Sequence, residues 1–370
     1  MELKKLTLMQ FRSYEQLSLA PGGGVTVLVG PNGAGKTNLL EAMHLLATGR
    51  SHRCQSDREM IRQGQPAAII RGESERQDGR HRVEVRLYPQ EKPGKRVLVE
   101  GKPARVGDLL GHVTCVMFSP EDLRIVRDGP AARRRFIDMQ LSQIRPGYLR
   151  ALKSYLTALD ARNALLKRQR FAPMRDIDAQ LDAWDEQLAT AAVPVESARR
   201  WFAAELKRES EAQYALISEH PEEDFRLSRV GALAQSDDPA KAMLEGLLRA
   251  RREDMERQYT AFGPHRDDLR LSLFGKPLSV FGSQGQIRTA VLALKLAELP
   301  LIQREMGDKP ALLLDDVFSE LDVRRRAALL QASQGVQTFL TCTDLSDVAG
   351  IRVEQTLRVL PGGTVEDAGR

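Results

Sequence analysis

Gly30, Gly35, Lys36 and Thr37 fall at the spacing G-x-x-x-x-G-K-[ST] inside LVGPNGAGKTNLLEAM, residues 28–43. The chemistry of that spacing is phosphate binding. Glycines let successive backbone N–H groups wrap an anion, a helix N-terminus adds positive potential, the lysine reaches β- and γ-phosphates, and the hydroxyl can bind Mg²⁺. The candidate nucleotide loop is therefore Gly30, Pro31, Asn32, Gly33, Ala34, Gly35, Lys36 and Thr37. A second chemical centre is written in ALLLDDVFSELD, residues 311–322. There Asp315 ends an apolar run and is the candidate metal ligand beside Thr37, while Asp316 follows as the candidate to orient or deprotonate a water. A carboxylate pair capping a turn is the bland alternative.

These residues need a strand and a helix around the loop, and VTVLV before it with TNLLEAMHLLA after it supply them. The same reading makes ALLL a buried strand and TFLTC the next one. Residues 1–125 contain short strand-like runs separated by turns and read as α/β. From about Leu149 the texture changes: Leu149, Leu152, Leu156, Leu159 and Leu166 give the seam of a helix packed on another helix, and Leu181, Trp184 and Leu188 repeat it. Pro173 between them marks a turn or break. Strand-like alternation returns from Tyr259 in DLRLSLFGKPLSVFG, with Gly275 and Lys276 as a hairpin turn. The expected organisation is a head formed by residues 1–125 and 259–370, split by a helical lobe or arm over 126–258.

The separation of Lys36 from Asp315, together with the absence of an NKxD motif, departs from a compact GTPase. A head interrupted by a helical arm is instead the layout of ATPases related to ABC transporters and chromosome-maintenance proteins. FGSQGQIRTAVLALKLAEL sharpens this: Ser283, Gly285 and Gln286 form S-x-G-Q at the start of a helix, an anion site by geometry. It resembles the ABC signature, which contacts the γ-phosphate held by a second subunit. Alone the pattern is weak and Ser283 reads equally as a helix N-cap; some thirty residues before the acidic strand it gains force.

FRSYEQL, GPNGAGKTNLLEA, TGRSHR, FSPEDL, GPAARRRFID, GPHRDDL, SQGQ and LLLDDVFSELD occur in one order along nearly the whole chain. In this succession the chain resembles the RecF family of bacterial recombination-mediator ATPases. The resemblance implies an α/β ABC-type P-loop head with a helical second lobe, ATP and Mg²⁺ as cofactors, ATP-dependent homodimerisation and weak, DNA-dependent hydrolysis. It also implies binding to gapped DNA or a single/double-strand junction, and partnership with a RecR-type mediator in loading recombinase. Carried over, Ser283 to Gln286 form a signature acting in trans, Ser319 to Asp322 resemble the D-loop, and Arg12 lies near the nucleotide. VMFSPEDL lacks the Q-loop glutamine, leaving Glu121 or water to substitute, and Thr343 stands where relatives have a switch histidine. Both departures fit slow hydrolysis.

Lys and Arg total 55 against 50 Asp and Glu, so DNA binding would need a local basic surface rather than overall charge. Arg133, Arg134 and Arg135 are the candidates, with a solvated basic face as the alternative. Three distant cysteines read as buried thiols, His265 as a structural hydrogen-bonding group, and His52 as either a nucleotide-positioning or a loop-packing residue. No window is apolar enough for a membrane span, and a soluble, cytoplasmic protein is expected. A transporter subunit would require LSGGQ and the switch histidine, a related nuclease a C-terminal acidic metal centre, and a chromosome condenser hundreds of residues of heptads.

Overall fold

The computed structural model describes residues 1–54, 56–88, 94–171, 176–220, 222–318, 321–348 and 350–369. They form two compact units: Met1–Arg124, Ala212–Glu223 and Ser283–Arg370 in the first, Ile125–Glu211 and Asp224–Gly282 in the second.

The first unit contains two six-stranded sheets. One is antiparallel, in the order β2 (Tyr14–Leu19), β1 (Glu2–Phe11), β4 (Ala68–Arg76), β5 (Gly79–Leu87), β6 (Lys95–Val99), β7 (Lys102–Ala104). The other runs β15 (Thr364–Asp367), β14 (Gln355–Leu360), β3 (Val25–Val29), β13 (Thr338–Cys342), β12 (Ala311–Leu314), β8 (Cys115–Phe118). All its neighbours are parallel except β14 and β15. Helix α1 (Lys36–Thr48) packs against β4 and β5 of one sheet and β8 and β13 of the other. That position explains its composition: every residue from Leu39 to Thr48 is buried, so no polar face is needed. The short α2 (Val106–Leu109) follows β7 in the chain, and α3 (Arg124–Arg127), after β8, belongs to the second unit from Ile125 on. Helix α9 (Gln284–Met306) is buried all round from Thr289 to Leu299, and α10 (Val323–Ala332) precedes β13.

In the second unit are α4 (Pro130–Ile144), α5 (Tyr148–Phe171), most of α6 (Ile177–Ile217), α7 (Pro239–Arg257) and α8 (Leu278–Phe281). They accompany an antiparallel sheet of β9 (Phe225–Val230), β10 (Asp268–Leu273) and β11 (Lys276–Pro277), with β10 central. Three sequence expectations change here. Residues 259–282 belong to this unit, because β10 pairs with β9 over six residues; the chain returns to the first unit at Ser283, while Ala212–Glu223 already lies within it. The hairpin turn is Phe274–Gly275, both at positive φ, and Lys276 already pairs with Leu273.

The α5 seam also differs. Tyr148, Leu152, Tyr155, Leu159, Arg162 and Leu166 are buried at alternating spacings of four and three, whereas Leu156 is 42% exposed. Arg162 is tolerated at a core position because it donates to Asp185 at 2.6 Å and to Asp254 at 2.7 Å. On α6, Leu181 and Leu188 are buried as expected, with Asp185 between them. The break expected at Pro173 lies outside the described residues.

Candidate nucleotide site

The site is built where β3 gives way to α1 at the C-terminal edge of the parallel strands. Gly30 must be glycine, since a Cβ there would meet the Val359 carbonyl oxygen at 2.2 Å. Gly35 caps α1 with φ +115, a left-handed conformation that L side chains rarely adopt. Its carbonyl accepts from the buried Tyr14 hydroxyl at 2.9 Å, which ties the loop to β2. Lys36 Nζ donates to the carbonyls of Gly30 (2.6 Å) and Pro31 (3.0 Å), keeping the ammonium within the loop. Desolvation lowers its pKa, against the nearby charge of Asp316.

Across the loop mouth, Thr37 Oγ1 donates to Asp315 Oδ1 at 2.8 Å. The bond joins the first turn of α1 to the end of β12 although 278 residues separate them in sequence. Strand β13 lies between β3 and β12, and its Thr341 hydroxyl is 3.1 Å from the same Asp315 oxygen. Burial raises the Asp315 pKa, opposed by the Thr37 and Thr341 hydrogen bonds, and Glu121 raises it further. The exposed Glu121 is thus within electrostatic reach of Asp315. Asp316 adopts φ +52, uncommon for a non-glycine residue, and its N–H donates to Thr341 Oγ1 at 2.8 Å.

A close-approach glycine, a left-handed cap, a lysine aimed at loop carbonyls and a hydroxyl–carboxylate pair fit a nucleotide with Mg²⁺. That ion is bound through one or two oxygen ligands of a protein, and Thr37 and Asp315 would supply them.

Ser283 is the N-cap of α9 in a full capping box: its Oγ accepts from Gln286 N at 3.1 Å and its N–H donates to Gln286 Oε1 at 2.8 Å. Gln286 Nε2 then donates to Glu223 at 2.7 Å, and Glu223 accepts from Tyr214 and Ser218 as well. The Gln286 side chain is therefore engaged within its own chain. The N-cap reading of Ser283 is realised. Arg325, which sequence reading missed, donates to Gly285 O (3.1 Å) and Thr289 Oγ1 (2.7 Å) and pairs with Asp322, the N-cap of α10. It fastens the start of α9 to the start of α10. Ser319 and Glu320, expected in the D-loop, lie outside the described residues.

Arg12 and Arg133 both hold partners within the chain. Arg12 forks Glu41 with two 2.8 Å bonds and also donates to Glu59 O and Cys54 Sγ. Through Glu41, one turn beyond Thr37, it braces α1. In the second unit Arg133 is bidentate to Asp268 (2.6 and 3.0 Å) and donates to the carbonyls of Ile125 and Asp128. Arg134 donates to Asp267 O. Arg133 is therefore structural rather than a phosphate ligand, because its guanidinium is already bidentate to a carboxylate; Arg135 alone of the three is exposed. His265 bonds Tyr155 at 2.6 Å and Thr260 O at 2.9 Å, the structural role expected of it. His52 packs edge-on against His44. Among the described residues no helix is long and apolar enough to cross a membrane.

The parallel sheet, P-loop, acidic strand end and S-x-G-Q helix together define an ABC-type ATPase head. The RecF/RecN/SMC N-terminal domain family matches residues 2–360. The chain is 40% identical over 369 residues to DNA replication and repair protein RecF of Lachnoclostridium phytofermentans, covering 99% of each. It is also 40% identical over 355 residues to the Symbiobacterium thermophilum RecF, covering 94% of this chain and 93% of the other. A solved structure of the recombination mediator protein RecF with ATP, in the RecFOR pathway, superposes with a TM-score of 0.91 at 31% identity, covering 99% and 97%. The Pyrococcus furiosus Smc head shares the fold, with a TM-score of 0.57 at 17% identity over 99% and 96% of the two chains. The chain belongs to the RecF family.

Proposed function

We propose that this chain is an ATP-dependent DNA-binding protein of recombinational repair and replication. On this reading it dimerises on ATP, helps load recombinase at gapped DNA or a single/double-strand junction together with a RecR-type mediator, and hydrolyses ATP slowly for release. The observation that carries it is the Thr37–Asp315 bond, which closes a P-loop against an acidic strand end in a chain so similar to RecF.

Backbone N–H groups of the loop and Lys36 hold the phosphates, and Thr37 and Asp315 are the protein ligands of the metal. Mg²⁺ held there would supply charge neutralisation of the phosphates. Asp316 orients the attacking water and accepts its proton. Ser283 and Gly285 present the N-terminus of α9 to the γ-phosphate of a second copy, so the site is complete only in the dimer. Glu121 is suited to relay the state of the metal side to the loop after β8. With Arg133 committed to Asp268, the DNA surface falls to Arg135 and the exposed cations of the helical unit, joined in pairs when two copies associate.

The test is light scattering of the purified chain with ATP, with ADP and without nucleotide, in the presence and absence of DNA. Dimers should form with ATP; Ser283→Arg should prevent them while ATP affinity stays unchanged, and Lys36→Met should lose ATP binding while remaining folded. Equal dimerisation without nucleotide, or undiminished turnover by Lys36→Met, contradicts the reading.

A further inference from the structure

We infer that Thr341 is the positioning residue that fixes both acidic side chains of the site. It stands on β13, the strand between the P-loop strand and the acidic strand, and is 2% exposed. Its hydroxyl faces two jobs at once. As a donor it lies 3.1 Å from Asp315 Oδ1, and as an acceptor it takes the Asp316 N–H at 2.8 Å. One hydroxyl can do both, since it has one hydrogen and two lone pairs.

The consequences differ for the two aspartates. Asp315 Oδ1 accepts from Thr37 on one side and Thr341 on the other, so the carboxylate is held by two hydroxyls from neighbouring elements. Asp316 sits at φ +52, a backbone conformation that persists in a non-glycine residue only where neighbours over-determine it. The Thr341 oxygen accepts its N–H, so this bond sets the direction in which the carboxylate leaves the backbone. Valine has the same shape and neither function; serine has both functions and lacks only the methyl group.

The inference rests on the ATPase reading for its consequence but not for its geometry, so the experiment has two arms. In the first, without nucleotide or metal, amide hydrogen exchange is followed by mass spectrometry in peptides spanning residues 312–318. Thr341→Val should accelerate exchange at Asp316 roughly tenfold, the size expected when a buried N–H loses its acceptor, and Thr341→Ser should restore protection. In the second arm, ATP hydrolysis is titrated with Mg²⁺. Thr341→Val should lower kcat by about tenfold to a hundredfold and raise the Mg²⁺ requirement, with the KM for ATP within about threefold and serine close to the parent.

Unchanged exchange in Thr341→Val overturns the inference. So does a serine variant that behaves like valine in both arms, which would make Thr341 a packing residue. A parent chain that exchanges as expected yet hydrolyses no ATP would instead overturn the ATPase reading and leave the clamp standing.

Discussion

The nucleotide loop of the first unit and the charge network of the helical unit use the same residue types to opposite ends. In the loop, Lys36 and Thr37 are tied only to backbone carbonyls and one carboxylate, bonds that a phosphate or a metal can replace. In the helical unit, arginines and acids neutralise each other in fixed pairs. Arg162 serves Asp185 and Asp254; Arg199 forks Asp138 and donates to Pro264 O; Arg229 joins Glu196 to Asp267. The motif GPHRDDL falls wholly in this second pattern: Pro264, His265, Asp267 and Asp268 each hold a partner from another element. A charged motif becomes a binding site when its hydrogen-bonding capacity is left exchangeable, and a structural joint when that capacity is spent.

The sharpest break of this contrast is Arg162→Met. It leaves Asp185 and Asp254 buried without their shared cation and should cost about 3–5 kcal/mol. Trp184 and Trp201 both lie on α6 in the helical unit, so tryptophan fluorescence during urea unfolding reads that unit. Neutralising the acids as well, with Asp185→Asn and Asp254→Asn, should recover part of the loss. A midpoint unchanged in Arg162→Met would mean the network is not what holds α5, α6 and α7 together.

Arg133→Ala should lower the same midpoint by an amount corresponding to about 2 kcal/mol, through the unpaired Asp268. It should leave the salt dependence of DNA binding unaltered, whereas Arg135→Ala should reduce the log–log slope by about one. The opposite assignment would make Arg133 exchangeable and blur the two regions.

A comparable effect of pH follows from His265, whose pKa burial lowers to about 4. Its neutral form is the folded one, so its contribution is complete above the unfolded value near 6.5 and is lost as pH falls toward 4. The fluorescence-detected unit should thus lose about 2 kcal/mol between pH 6.5 and 4 from this group, and His265→Gln should flatten that part of the profile. The smallest effect belongs to Leu156→Ser. At 42% exposure it should change stability by less than about 0.5 kcal/mol, while Tyr155→Ser, one position away, should unfold the unit readily. Equal losses at both would restore the leucine seam.

Sequence alone made the P-loop and the acidic strand end of the first unit legible. A P-loop is contiguous, its glycines are demanded by local backbone geometry, and an apolar strand ending in Asp315–Asp316 or a Ser–Gly–Gln helix start is visible in a dozen residues. Tertiary structure decided what each charge was for. Leu156 looked like core because leucine is usually buried, yet the helix turns Tyr155 and Arg162 inward; an arginine reads as surface until partners 23 and 92 residues away are known. Arg133 looked exchangeable until Asp268, 135 residues on, proved to occupy it. Thr341 gave no signal at all, being one of two threonines in a buried strand, and acquires its part only because parallel pairing sets β13 beside β12. Hydrogen-bond capacity is a property of a residue type, but whether it is already spent depends on neighbours that only the folded chain brings within 3 Å.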